Sequence, residues 1–284
     1  MIYDTFMLFN ELELLEVRLH ELNGVVDKFV LVEATRTHTD QPKPLHYAAN
    51  KERFKQFEEK IIHVVVEDSP HAQPWTIENF QRDCILRGLA NCRPDDIILM
   101  SDIDEIPRAG KVLEASRSMV YRDHLLANVY HAVLRPRRVT RTLRRILKRR
   151  HPFITVFLTR PYSYFLNLVC DTASWPGTRM LHFRDWTTGH ELRRWGGAPI
   201  EDGGWHFSFM GGVDKIIQKL NATPHQELNT PEHTDPHRIS ALTSQGSDIF
   251  GRPHDFKFVE IDDTFPAYIV ENQEKFAGWI KPLG

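Results

Sequence analysis

Asp102, Asp104 and Glu105 set three carboxylates within four residues, directly after the apolar run Ile97-Ile98-Leu99-Met100. In extended chain, residues two apart project to the same side, so Asp102 and Asp104 share a face while Ile103 turns back toward a core. Two hard oxygen donors on one face suit Mg2+ or Mn2+, and such an ion suits a diphosphate. The plainer alternative is a solvated acidic turn ahead of a helix after Pro107, since Asp-x-Asp is short and common by chance. What favours chemistry is the buried strand before the acids. A second constellation is Glu201-Asp202-Gly203-Gly204-Trp205-His206. Glycines let a backbone approach a ligand closely, and an acid held beside them can serve as a general base. Taken alone, His206 reads as a packed core histidine. Arg36, Lys43 and Arg82 are cations near strand or helix ends, positions from which a phosphate can be met; the competing reading of each is a solvated surface charge.

These residues need elements to hold them. Leu12, Leu15, Leu19 and Leu22 recur at helical spacing and predict an amphipathic helix over 11–22, stopped by Asn23-Gly24. Residues 25–34 and 61–66 read as buried strands, with a charged helix around 50–60 between them. A further helical segment over 75–92 leads to the acidic strand at 96. Helix and strand in alternation predict a mainly parallel sheet, with a Rossmann-like nucleotide-binding half over 1–107. No Gly-x-Gly-x-x-Gly or Walker loop accompanies it, so phosphates need another partner, and a metal on Asp102 and Asp104 is the economical one. A helix over 108–119 and strands at 125–134, 153–158, 179–183 and 256–261 follow. Trp175, Trp186 and Trp195 lie in turn-rich sequence, where aromatic faces suit a sugar pocket as well as a core.

With 284 residues, 41% hydrophobic, the chain fits one large α/β domain, read here as a nucleotide-binding half (1–107), an acceptor or catalytic half (108–235) and a carboxy-terminal extension (236–284). A formal net charge of −2 gives no global field toward nucleic acid, which is not expected as a partner. The exception is local: residues 135–151 hold nine Arg or Lys and no acid, with Val139, Leu143, Ile146 and Leu147 at helical spacing. That basic amphipathic segment suits an anionic membrane face or acidic saccharide, or a solvated arm or oligomer contact. Cys84, Cys92 and Cys170 share no metal-ligand spacing and point to a reducing compartment. No secretory leader and no long apolar run are present, which predicts a cytoplasmic protein whose membrane contact is peripheral, through 135–151.

The stretches Phe9-Asn10-Glu11, Glu33 to His38 with Lys43-Pro44-Leu45, Glu78 to Arg82, Ser101 to Pro107 and Gly203 to Ser208, in that order, closely resemble the family 17 glycosyltransferases. The resemblance spans roughly residues 3–230. It implies a single GT-A domain, a UDP-sugar donor, most simply UDP-GlcNAc, a glycan acceptor, Mn2+ or Mg2+ at the Asp-x-Asp, and inversion at the anomeric carbon to a β linkage. It implies Asp102 and Asp104 as metal ligands with His206 as a third. Glu33, Thr35, Arg36, Lys43, Asn79, Arg82 and Asp102 would then meet the donor, and Asp202, or else Glu201, would be the catalytic base. The basic 135–151 insertion and the lack of an anchor and stem point the acceptor away from glycoprotein N-glycans, toward a lipid-linked or anionic glycan. Two other readings stay open: a sugar-binding or scaffold protein of the same fold without turnover, and a metal-dependent phosphatase of the haloacid dehalogenase type.

Overall fold

Strands β1 (Ile2–Leu8), β2 (Lys28–Ala34), β3 (Ile61–Val66) and β4 (Ile97–Met100) pair in parallel in the spatial order β3-β2-β1-β4. The computed structural model describes residues 1–119, 153–171 and 174–283. Side-chain alternation sorts these strands into two cores. Phe6, Leu8, Phe29, Leu31, Ile97 and Leu99 fill one face; Tyr3, Val30, Val32, Val64, Val66, Ile98 and Met100 fill the other. A sheet buried on both faces needs continuous apolar strands, which is what 29–32 and 97–100 supply.

Past β4 the sheet changes sense. β8 (Trp175–His182) runs antiparallel to β4, β6 (Thr155–Ser163) antiparallel to β8, and β7 (Leu168–Cys170) and β10 (Phe256–Phe258) extend that edge. β9 (Ala198–Ser208) lies parallel to β6 and antiparallel to β5 (Glu105–Pro107). The expected mainly parallel sheet is thus a mixed one, parallel in its first four strands. Tyr164 to Asn167, which join β6 to β7, are too few for the crossover that parallel pairing requires.

Among the described residues, the helices of five residues or more are α1 (Leu12–Leu22), α2 (Pro74–Asp83), α3 (109–119), α4 (Gly189–Arg193), α5 (Gly212–Ala222), α6 (Pro236–Ser244) and α7 (Ala267–Glu271). The helix expected over 75–92 ends at Asp83 and is followed by a separate turn, Ile85–Gly88. A Cβ at Gly88 would lie 2.3 Å from a Val30 methyl, so the missing side chain is what seats that turn on β2. The charged segment near 50–60 is a 3-10 turn, Lys51–Phe57. The expected strand 125–134 and the basic segment 135–151 lie outside the described residues.

The stretch Glu201-Asp202-Gly203-Gly204, expected to bring backbone close to a ligand, is mid-strand in β9. Its glycines admit neighbouring strands instead of a ligand. A Cβ at Gly203 would stand 2.8 Å from Phe157 Cβ, and one at Gly204, where φ is +154°, 2.1 Å from the Ile106 carbonyl oxygen. α1 is buried nearly all round and carries Arg18 into the interior, where the guanidinium grips Asp4 at 2.6 and 2.7 Å. It also donates to the carbonyls of Asp102 and Glu105, at 3.0 and 2.9 Å, and to Ser101 Oγ at 2.6 Å. One buried cation therefore ties the chain leaving β4 to the first strand.

Candidate active site

In an open sheet of order 3-2-1-4, the crevice lies outside the carboxyl ends of the strands where the order reverses, here β1 and β4. A cavity of about 950 Å3 opens there. Its walls come from the ends of β1 (Leu8, Phe9, Glu11), β2 (Arg36, His38) and β4 (Asp102, Asp104), from α2 and α4, and from β9 and α5.

Each acid in it faces a fixed cation. Asp102 Oδ1 lies 2.8 Å from Arg82 Nη1 and its Oδ2 3.2 Å from Arg193 Nη2. Burial alone would raise the pKa of Asp102, but the two guanidiniums overturn that and hold it far below the ordinary carboxylate range. Asp104 Oδ2 accepts from Lys219 Nζ at 2.7 Å. It too is lowered, Lys219 and His206 outweighing its burial. Glu105, fully buried, accepts at 2.5 Å from Arg193 Nη2 and at 2.5 Å from the Trp175 indole. Arg82 is shared with Glu78, 2.5 Å away, and Lys219 with Glu11, 3.9 Å away. Arg82, Arg193 and Lys219 are thus shared among five carboxylates.

The β5–β9 register sets His206 opposite Glu105. His206 Nε2 lies 3.8 Å from Asp104 Oδ1, and its ring stacks on Trp175 at 5.0 Å between centroids. Its Nδ1 is buried without a hydrogen-bond partner. Among the described residues no group of three His, Cys, Asp or Glu side chains forms a ready metal cluster.

The residues singled out in the sequence divide into two sets. Arg36, Lys43, Asn79, Arg82, Asp102, Asp104 and His206 line the cavity. Glu33, Thr35, Glu201 and Asp202 do not. Glu33 is fully buried beneath the site, accepting from Tyr47 N at 2.9 Å and lying 3.0 Å from His63 Nε2. Thr35 N donates to the Val66 carbonyl, continuing the β2–β3 ladder. Asp202 is exposed, at φ +49°, and pairs with Arg108 at 2.9 Å; Glu201 is exposed beside it. The close fit of Gly203 against β6 and Gly204 against β5 holds both acids on the strand, away from the cavity. Arg36 spends its charge on Asp40, at 2.5 Å. Of the tryptophans, Trp175 lines the cavity, while Trp186 and Trp195 pack against the core.

Sequence reasoning missed Arg18, Arg193, Lys219 and the pair His190–Asp83. Asp4 carried a signal: an acid inside a central apolar strand requires a buried partner. Arg193 and Lys219 follow the acids by about 90 and 115 positions, and nothing local marks them.

Residues 1–126 match the model of glycosyltransferase family 17. The chain is 24% identical, over 291 aligned positions, to the human (Homo sapiens) beta-1,4-mannosyl-glycoprotein 4-beta-N-acetylglucosaminyltransferase, and equally to the mouse (Mus musculus) protein of that name. The alignments cover 94% of this chain and 52% of each relative, so the chain spans about half the length of the curated relatives it matches. The matched residues 1–126 carry β1 to β4 and the acids at the end of β4, so the similarity to glycosyltransferase family 17 falls on the part of the chain that forms the cavity's acidic wall.

Proposed function

We propose that the chain is a metal-dependent, inverting glycosyltransferase of GT-A type that moves GlcNAc from UDP-GlcNAc to a glycan hydroxyl, forming a β linkage. The observation that supports this reading best is the convergence of Asp102, Asp104 and His206 inside a 950 Å3 cavity at the switch point of the sheet. A divalent cation is the partner that such an oxygen and imidazole pair suits. Asp104 and His206 would hold it, with Asp102 beside them: Asp104 Oδ1 is left over by Lys219, and His206 Nε2 faces it. Mg2+ and Mn2+ need few protein ligands, because phosphate oxygens and water complete their shells. Bound there, such an ion supplies Lewis acidity toward the leaving diphosphate.

The chain's own residues do the remaining work. Arg82 and Arg193 hold Asp102 ionised and fixed. Lys43, which lines the cavity and stands over the Phe9 ring, offers a cation to phosphate, and Asn79 offers an amide to the nucleoside. The exposed face of Trp175 offers a platform for a sugar ring. The acceptor is a glycan, lipid-linked or anionic if the basic 135–151 segment serves in its recognition. That segment would also provide peripheral membrane contact; among the described residues no helix is long and apolar enough to cross a membrane.

The test is UDP release from a panel of UDP- and GDP-sugars with Mn2+, with and without β-mannosyl glycopeptide, lipid-linked and anionic glycan acceptors. The expected result is release selective for UDP-GlcNAc, dependent on Mn2+ and at least 100-fold lower in Asp104→Ala. Metal-independent release, or none from any UDP-sugar, would contradict the reading.

A further inference from the structure

The requirement for a proton acceptor in such a transfer is unmet by the acids first singled out, since Asp202 and Glu201 lie off the cavity. The cavity's own acids are already engaged. Asp102, Asp104, Glu105 and Glu78 each face a fixed cation, and Glu11 Oε2 accepts from the Phe9 and Asn10 amides at 3.1 and 3.0 Å. Their oxygens are thus engaged by partners within the chain.

His190 differs. It stands on α4 one turn before Arg193, the residue that grips Asp102 and Glu105, and it lines the cavity. Asp83, at the end of α2, receives it twice: Oδ1 accepts from the His190 backbone N–H at 3.0 Å, and Oδ2 lies 2.7 Å from Nδ1. An ionised carboxylate only accepts, so Nδ1 carries the hydrogen and the lone pair of the neutral ring sits on Nε2. The seat is rigid, because a Cβ on Gly189 would stand 2.6 Å from the Arg82 carbonyl oxygen, so α4 rests directly on α2. His225 and Glu227 make a similar pair, but both are half or more exposed, where water weakens such a pair.

We propose that His190 is the general base of the transfer and Asp83 its positioning residue, an assignment that rests on the glycosyltransfer reading above. The acceptor oxygen bonds to the anomeric carbon while its hydroxyl proton passes to His190 Nε2. The bond from that carbon to the diphosphate oxygen breaks, and its electron pair leaves with the diphosphate. Asp83 balances the imidazolium, which then returns its proton to solvent.

Two variants test this in the full chain, with UDP released from UDP-GlcNAc in the presence of a panel of β-mannosyl glycopeptide, lipid-linked and anionic glycan acceptors as the readout. His190→Gln should lower kcat at least 100-fold, with the KM for UDP-GlcNAc within threefold of wild type and the thermal shift induced by UDP retained. Asp83→Asn keeps the imidazole in place but reverses its tautomer. The amide oxygen must accept from the His190 backbone N–H, so the amide NH2 donates to Nδ1 and the ring hydrogen moves to Nε2. A comparable loss of kcat is expected. If wild type turns over and either variant stays within threefold of it, or if kcat falls only together with UDP binding, the base assignment is overturned. A wild-type chain without turnover would overturn the glycosyltransfer reading, and this assignment with it.

Discussion

A guanidinium shut away from water must be matched by charge, and Arg18 is matched by Asp4 while its remaining donors reach the backbone that carries Asp102 and Glu105. Removing one partner of such a buried pair leaves the other charge stranded, which costs about 3–5 kcal/mol. Arg18→Met should therefore lower the melting temperature by roughly 10 °C, measured by calorimetry. Adding Asp4→Leu to Arg18→Met should recover part of the loss, because the stranded carboxylate is gone. A single variant as stable as wild type would show that the pair does not hold the acidic loop. The same logic explains which site residues sequence could reveal. Asp102, Asp104 and Arg82 sit in local patterns that motif reasoning detects. Lys219 and Arg193 are recruited by tertiary contact from short helices with ordinary sequences, and only the fold shows that they converge.

At the scale of elements, the site depends on close approaches that only glycine permits. Gly189 brings α4 onto α2 and so points Arg193 and Arg82 at one carboxylate. Gly189→Val should push the helices apart and weaken UDP-GlcNAc binding at least tenfold by titration calorimetry, with a smaller effect on the fold. Gly204→Ala combines a contact with the Ile106 carbonyl and a positive φ, and should cost about 2 kcal/mol or more of stability in urea unfolding. β2, β3 and β4 were legible in the sequence because each is a largely apolar run closed by polar residues, whereas β1, whose apolar residues Asp4 and Thr5 interrupt, was not. β9 was not: its exposed first half and its paired glycines read as a loop, and its pairing with β6 is a relation between segments that periodicity cannot express. Asp202 was misplaced for the same reason.

For the whole molecule, the buried ionisable groups set its behaviour in acid. His38, lining the cavity, is pushed down to about 4 by burial. Glu16 is lowered from 4.5 to about 2: burial would raise it, but Lys275, Tyr268 and Arg53 outweigh that. Both folded pKa values lie below the unfolded ones, so the unfolded chain binds more protons in acid and stability falls as pH falls. The loss should begin near pH 6.5, where unfolded histidine titrates, and continue to about pH 2. Glu16 contributes up to about 3 kcal/mol of it. Melting temperatures from pH 7 to 3 should decline in wild type, and decline less between pH 4.5 and 3 in Glu16→Gln; equal slopes would contradict the assignment. The central claim is that the acids at the end of β4 seat a sugar nucleotide through a divalent ion. Its most direct measurement is calorimetric titration of UDP-GlcNAc with Mn2+ into wild type and Asp104→Asn. The account predicts saturable, Mn2+-dependent binding to wild type that weakens at least tenfold in the variant, whereas no binding to wild type, or equal binding to both, would contradict it.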